Sequence, residues 1–75
     1  MKSYLIRDKT TQSYLTSTEY WSWDKHPEVG VLFSSLEITR AIAKELVRDL
    51  EISIEIVSVK NTIVLEEEIS YVIPR

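Results

Sequence analysis

The sequence has no cysteine, one glycine, one histidine, one phenylalanine and two prolines. Without cysteine there is no disulfide to reinforce a small core and no thiolate to hold a metal ion. A single glycine, Gly30, leaves no glycine-rich loop to cradle phosphates. The single histidine sits in Asp24-Lys25-His26-Pro27-Glu28, which lacks the spacing of a known metal or acid–base site, and it has no cysteine to pair with. No catalytic residue, metal ligand or cofactor is assigned, and enzymatic activity is not expected. No apolar run is long enough to cross a bilayer, and Met1-Lys2-Ser3-Tyr4 leads directly into a strand pattern without the apolar segment of a signal peptide. The expectation is therefore no membrane role and an intracellular, cytoplasmic setting. Repeats, low-complexity tracts and linkers are also missing.

What is present fits one small domain. Seventy-five residues with 44% hydrophobic content, two Trp and four Tyr are too apolar for a disordered tail. Burial on folding reaches roughly 60–65% of the unfolded surface at this size. Stability from so small a core is limited, which favours a homo-oligomer or a complex. Nine Lys and Arg against twelve Asp and Glu give a net charge of −3, a balance that disfavours a general nucleic-acid binder.

One segment reads as helix with a marked start. In Phe33-Ser34-Ser35-Leu36-Glu37-Ile38, Ser34 is placed as N-cap and Glu37 as its capping-box partner, with Phe33 and Ile38 as a hydrophobic staple. At 100° per residue, Leu36, Thr39, Ile42, Ala43, Leu46 and Leu50 gather on one side, and Glu37, Arg40, Lys44, Glu45 and Arg48 on the other. The helix is expected to run to about Leu50 or Glu51.

The remaining chain reads as strand and turn. Tyr4-Leu5-Ile6-Arg7 and Ser13-Tyr14-Leu15-Thr16 suit an antiparallel hairpin, although the Asn-Gly or Asp-Gly turn signal is missing between them. Alternation puts Tyr4 and Ile6 on one face and Leu5 on the other. Gly30 is expected to let the chain bend into Val31-Leu32-Phe33, either a short strand or a lead into the helix. Ser53-Ile54-Glu55-Ile56-Val57-Ser58-Val59 is the strongest strand pattern, with Ile54 and Ile56 on a core face and Ser53 and Glu55 on a polar one that also receives Val57 and Val59. Lys60-Asn61-Thr62 reads as a turn into Ile63-Val64-Leu65. Glu66-Glu67-Glu68 reads as a solvated bend or as gatekeepers against edge pairing, and Ile69 to Ile73 as a bent continuation or an edge strand ended by Pro74. The fold expected is α+β: a mostly antiparallel sheet of four or five strands with one helix on one face, in the order β-β-(β)-α-β-β, forming a single domain over 1–75.

One helix covers one side of such a sheet. Leu5, Leu15, Val57 and Val59 are expected on the other, and a contiguous apolar area of that kind marks an interaction surface. The cluster Tyr20-Trp21-Ser22-Trp23 either caps the end of the core or supplies aromatic anchors for a partner. Tyr20, Trp21, Trp23, Leu5, Leu15, Val57 and Val59 are the candidate partner-binding residues. Arg40, Lys44 and Arg48 form an i, i+4, i+8 column, read as a solvated face or as a docking strip for an acidic partner or nucleic acid.

The pattern Tyr4-Leu5-Ile6-Arg7, Tyr14-Leu15, Trp21 or Trp23, Val31-Leu32-Phe33-Ser34-Ser35, Ala41-Ile42-Ala43-Lys44-Glu45-Leu46 and Glu55-Ile56-Val57-Ser58-Val59 resembles a class of small uncharacterised proteins of phages and Gram-positive prophages. The resemblance covers most of the chain and lies in fold-determining positions. It implies an accessory protein that acts by binding a host protein, of which inhibitors of host defence, anti-CRISPR proteins among them, are one group. The other readings are a nucleic-acid-associated protein using the basic column and a structural subunit of a larger assembly.

Overall fold

The two stretches richest in strand formers find each other across the length of the chain. In the computed structural model, which describes residues 3–59 and 68–73, β1 (Ser3–Asp8) and β4 (Ile54–Val59) pair antiparallel from Ser3 opposite Val59 to Asp8 opposite Ile54. β2 (Tyr14–Leu15) and β3 (Trp23–Asp24) extend the sheet beyond β1, and β5 (Glu68–Ile73) extends it beyond β4. The result is an antiparallel sheet in the order β3-β2-β1-β4-β5. Helix α1 (Leu36–Leu50) packs on one face, so the fold is α+β as the sequence indicates. Segments 60–62, 63–65 and 66–67, read above as turn, strand and gatekeepers, lie outside the described residues. Ile69 to Ile73 belongs to the edge strand β5.

Local chemistry explains the connections. Asp8 supplies the turn that the absent glycine dipeptide would have made: its Oδ1 accepts from the N–H of Thr10 at 2.8 Å and of Thr11 at 3.3 Å, an Asx arrangement. The third strand is Trp23–Asp24, and Val31–Phe33 is not one. The backbone bond from Thr16 N–H to Ser22 C=O (2.8 Å) and the 2.7 Å contact between their hydroxyls close a hairpin that brings Trp23 opposite Leu15. Val31 to Phe33 instead fills the open edge of β1: Phe33 exchanges two backbone bonds with Tyr4, and Val31 N–H donates to Leu15 C=O.

That bridge also moves the helix start. With Phe33 committed to Tyr4, the N-cap is Ser35, in an extended conformation, and not Ser34; its Oγ accepts from Ile38 N–H at 3.3 Å. Glu37 thereby loses the capping-box position, and Ile38, the expected staple residue, is 58% exposed. The helix ends as expected, with Glu51 in the left-handed region (φ 54°) donating its N–H to Val47 C=O. Thr39, Ala43 and Leu46 form the buried stripe; Leu50, expected among them, is exposed.

Two apolar layers result. Ile6, Leu15, Ala43, Leu46, Ile54 and Ile56 are buried between sheet and helix, with Trp21, Trp23 and Phe33 packed at the margin. Leu5, Tyr14 and Val59 form a second cluster on the opposite face. Gly30 belongs to this second layer. Its φ of −70° and ψ of 153° suit any residue, so bending is not its purpose. A Cβ there would meet Leu5 Cδ2 at 2.8 Å and Pro27 O at 3.2 Å, so glycine lets segment 27–30 lie directly over Leu5.

Candidate interaction surface

The face expected to be bare is closed within the chain. Leu5, Val57 and Val59 are 2%, 0% and 4% exposed, and Leu15 sits on the other side, under the helix. Leu15 and Leu5, expected on one face, lie on opposite faces. Pairing places Tyr14 opposite Arg7, on the Leu5 side, so Leu15 must point the other way. None of the four can touch a partner in this state.

Also on that face is a polar network around Glu55, a residue that strand alternation puts on the polar side of β4. Glu55 stands opposite Arg7 and both are buried. Arg7 Nε and Nη2 reach Glu55 Oε2 at 2.9 and 2.8 Å, Arg7 Nη1 donates to Tyr14 Oη at 3.2 Å, and the guanidinium lies 5.7 Å from the Tyr14 ring centre. Burial opposes the charge on Arg7, but the hydrogen bonds to Tyr14 and Glu55 together outweigh it and hold the pKa above the ordinary value. The three side chains pair with one another inside the fold, which marks the network as structural. The sequence signal for it is Glu55 between Ile54 and Ile56 on β4 and Arg7 after Ile6 on β1, each sharing a face with Leu5 and Val57.

The aromatic cluster is the candidate that stays at the surface. Ser17 Oγ accepts from the N–H of Glu19 (3.2 Å) and of Tyr20 (3.1 Å), tying a turn that holds Tyr20 outward at 78% exposure, the highest of any large apolar side chain among the described residues. Trp21 follows with φ of 52°, a region that costs a bulky residue about 1–2 kcal/mol. Trp21 and Trp23 are half-buried, each packed against the margin of the main core with part of its surface in solvent. Thus Tyr20 is the exposed tip, and the two indoles connect it to the core.

Beside this hairpin Asp24 Oδ1 accepts from His26 N–H and contacts His26 Nδ1, both at 2.8 Å. The bonds from His26 lower the Asp24 pKa below its ordinary value. Asp24, followed by the charge of Glu28, raises that of His26. This exposed pair orients the loop entering Pro27–Val29.

The basic column is divided. Lys44 and Arg48 are exposed, Arg40 is half-buried, and Arg48 Nε lies 3.0 Å from Asp49 Oδ1. At the far end of the sheet a cavity of about 330 Å³ is lined by Asp8, Thr10, Thr11, Glu51, Ile52 and Ser53. Its two carboxylates do not make a ligand set: no group of three His, Cys, Asp or Glu able to hold a metal occurs among the described residues. No helix among them is long and apolar enough to cross a membrane. Comparison with family models, with curated proteins and with solved structures finds no significant match to this chain.

Proposed function

We propose that this protein is a non-enzymatic, intracellular interaction module, a phage-type accessory protein that binds a host protein such as a defence factor through the Tyr20–Trp23 hairpin. The observation that carries this is the placement of Tyr20. A large aromatic ring is held almost wholly in water by a tied turn, next to a tryptophan in a costly backbone conformation. The Tyr20 ring, exposed in water, adds little to the core, and Tyr and Trp are among the residues that dominate binding energy at protein interfaces. The buried sheet residues Leu5, Leu15, Val57 and Val59 drop out as contacts, and with them the case for a homo-oligomer built on that face. The nucleic-acid reading has less support, because the net charge is −3 and Arg48 of the basic column is already beside Asp49.

Capture from a host lysate with tagged wild type and Tyr20→Ala in parallel tests the reading. A protein retained in stoichiometric amount by wild type, lost with Tyr20→Ala and insensitive to nuclease, supports it. Equal capture by both, with unchanged circular dichroism, rejects the hairpin as the contact. Retention that vanishes with nuclease and falls steeply with salt favours the basic column instead.

A further inference from the structure

The charges around the hairpin restrict what can dock there. Segment 17–29 carries Glu19, Asp24 and Glu28 against Lys25, with His26 formally neutral. Glu19 immediately precedes Tyr20 on the turn and is exposed with it, whereas Asp24, on β3 opposite Tyr14, is already engaged by His26. A phosphate or an acidic peptide approaching the rings meets this charge as repulsion, and a purely apolar partner would desolvate carboxylates without pairing them. A cation gains from both kinds of group, since the face of an aromatic ring attracts positive charge and a neighbouring carboxylate adds to it.

The molecule already contains this combination in its interior. There an arginine is held by a carboxylate and a tyrosine, with Arg7 2.8 Å from Glu55 and 5.7 Å from the ring centre of Tyr14. On the hairpin Tyr20 and Glu19 are neighbours on the turn, and segment 17–29 contains no arginine.

Resting on the interaction reading above, we propose that the Tyr20–Trp23 hairpin recognises a basic segment of its partner protein, taking an arginine or lysine side chain against Tyr20 with Glu19 as counter-charge. The two tryptophans of the chain, Trp21 and Trp23, both lie in the hairpin and report on it directly. Their fluorescence is to be followed on the full chain at low salt with three capped peptides: Gly-Arg-Gly-Arg, Gly-Glu-Gly-Glu and Ser-Leu-Ser-Leu.

The expected result is saturable binding of the arginine peptide only. Tyr20→Ala weakens it about 2- to 5-fold, the worth of an exposed cation–π contact; Glu19→Gln weakens it too, and Glu45→Gln on the helix leaves it unchanged. Equal weakening by Glu45→Gln with no effect of Tyr20→Ala overturns the proposal in favour of diffuse acidity. Tyr20-dependent binding of the neutral or acidic peptide in place of the arginine one overturns the cationic class while leaving the hairpin as an interaction site. No Tyr20-dependent binding of any peptide counts against both.

Discussion

At Gly30 the requirement is space alone. The backbone is ordinary there, but an added methyl group would press on Leu5, which is itself buried against Tyr14 and Val59. Gly30→Ala is therefore expected to destabilise the fold by about 1–3 kcal/mol, the usual range for overpacking. A lower urea midpoint at unchanged slope checks this. His26 is a second residue whose surroundings fix a measurable property. Asp24 raises its pKa above the ordinary 6.5, so in an NMR titration its midpoint lies above 6.5 and returns toward it in Asp24→Asn. The sign of the linkage follows. The contribution of His26 to stability is complete below 6.5 and is lost as pH rises through the raised value; that of Asp24 is present above 3.8 and lost as pH falls through its lowered value. The local pairing is therefore strongest between those limits and, being fully exposed, moves the loop more than the global fold.

Among the elements, β1 and β4 carry the most consequential pair. Arg7 and Glu55 face each other in register and are both buried, so removing one leaves the other charged and unpaired. Arg7→Met should cost about 3–5 kcal/mol, while Arg7→Met with Glu55→Leu should recover much of that loss, because an apolar pair of similar size avoids the stranded charge. Denaturation of the two variants side by side distinguishes this from a simple loss of packing, in which the double variant would be the worse. These two residues also mark where the sequence could be read and where it could not. The order of strands and helix, the alternation of Tyr4 and Ile6 against Leu5, and the stripe Thr39, Ala43 and Leu46 follow from period two and period 3.6, which are local properties. The burial of Glu55 depends on Arg7, 48 residues away, and no local period encodes such a pairing. The shift of the N-cap from Ser34 to Ser35 has the same origin, because the bridge between Phe33 and Tyr4 decides which serine comes first after the extended backbone.

For the molecule as a whole, the same argument decides between a core and an interface. A domain of this length commands about 4–11 kcal/mol of net stability, so it has little to spare for apolar groups left in water. Hydrophobic residues on both faces of a sheet with one helix suggest, in the sequence, a surface awaiting a partner, with Tyr20 one of several candidates. The second face is instead occupied by a second apolar cluster under segment 27–30 and by the Arg7 network, which leaves Tyr20 on the hairpin as the most exposed aromatic side chain among the described residues. Leu5 and Tyr20 should then behave in opposite ways. Leu5→Ala is expected to lower stability by about 2–5 kcal/mol, as cavity-forming changes do. Its melting temperature should fall by the same amount at protein concentrations about tenfold apart, because no association equilibrium is linked to it. Tyr20→Ala should leave the melt where it was and weaken only binding. A melting temperature of the Leu5 variant that climbs with concentration would place that residue at a subunit contact and return the sheet face to the list of docking surfaces.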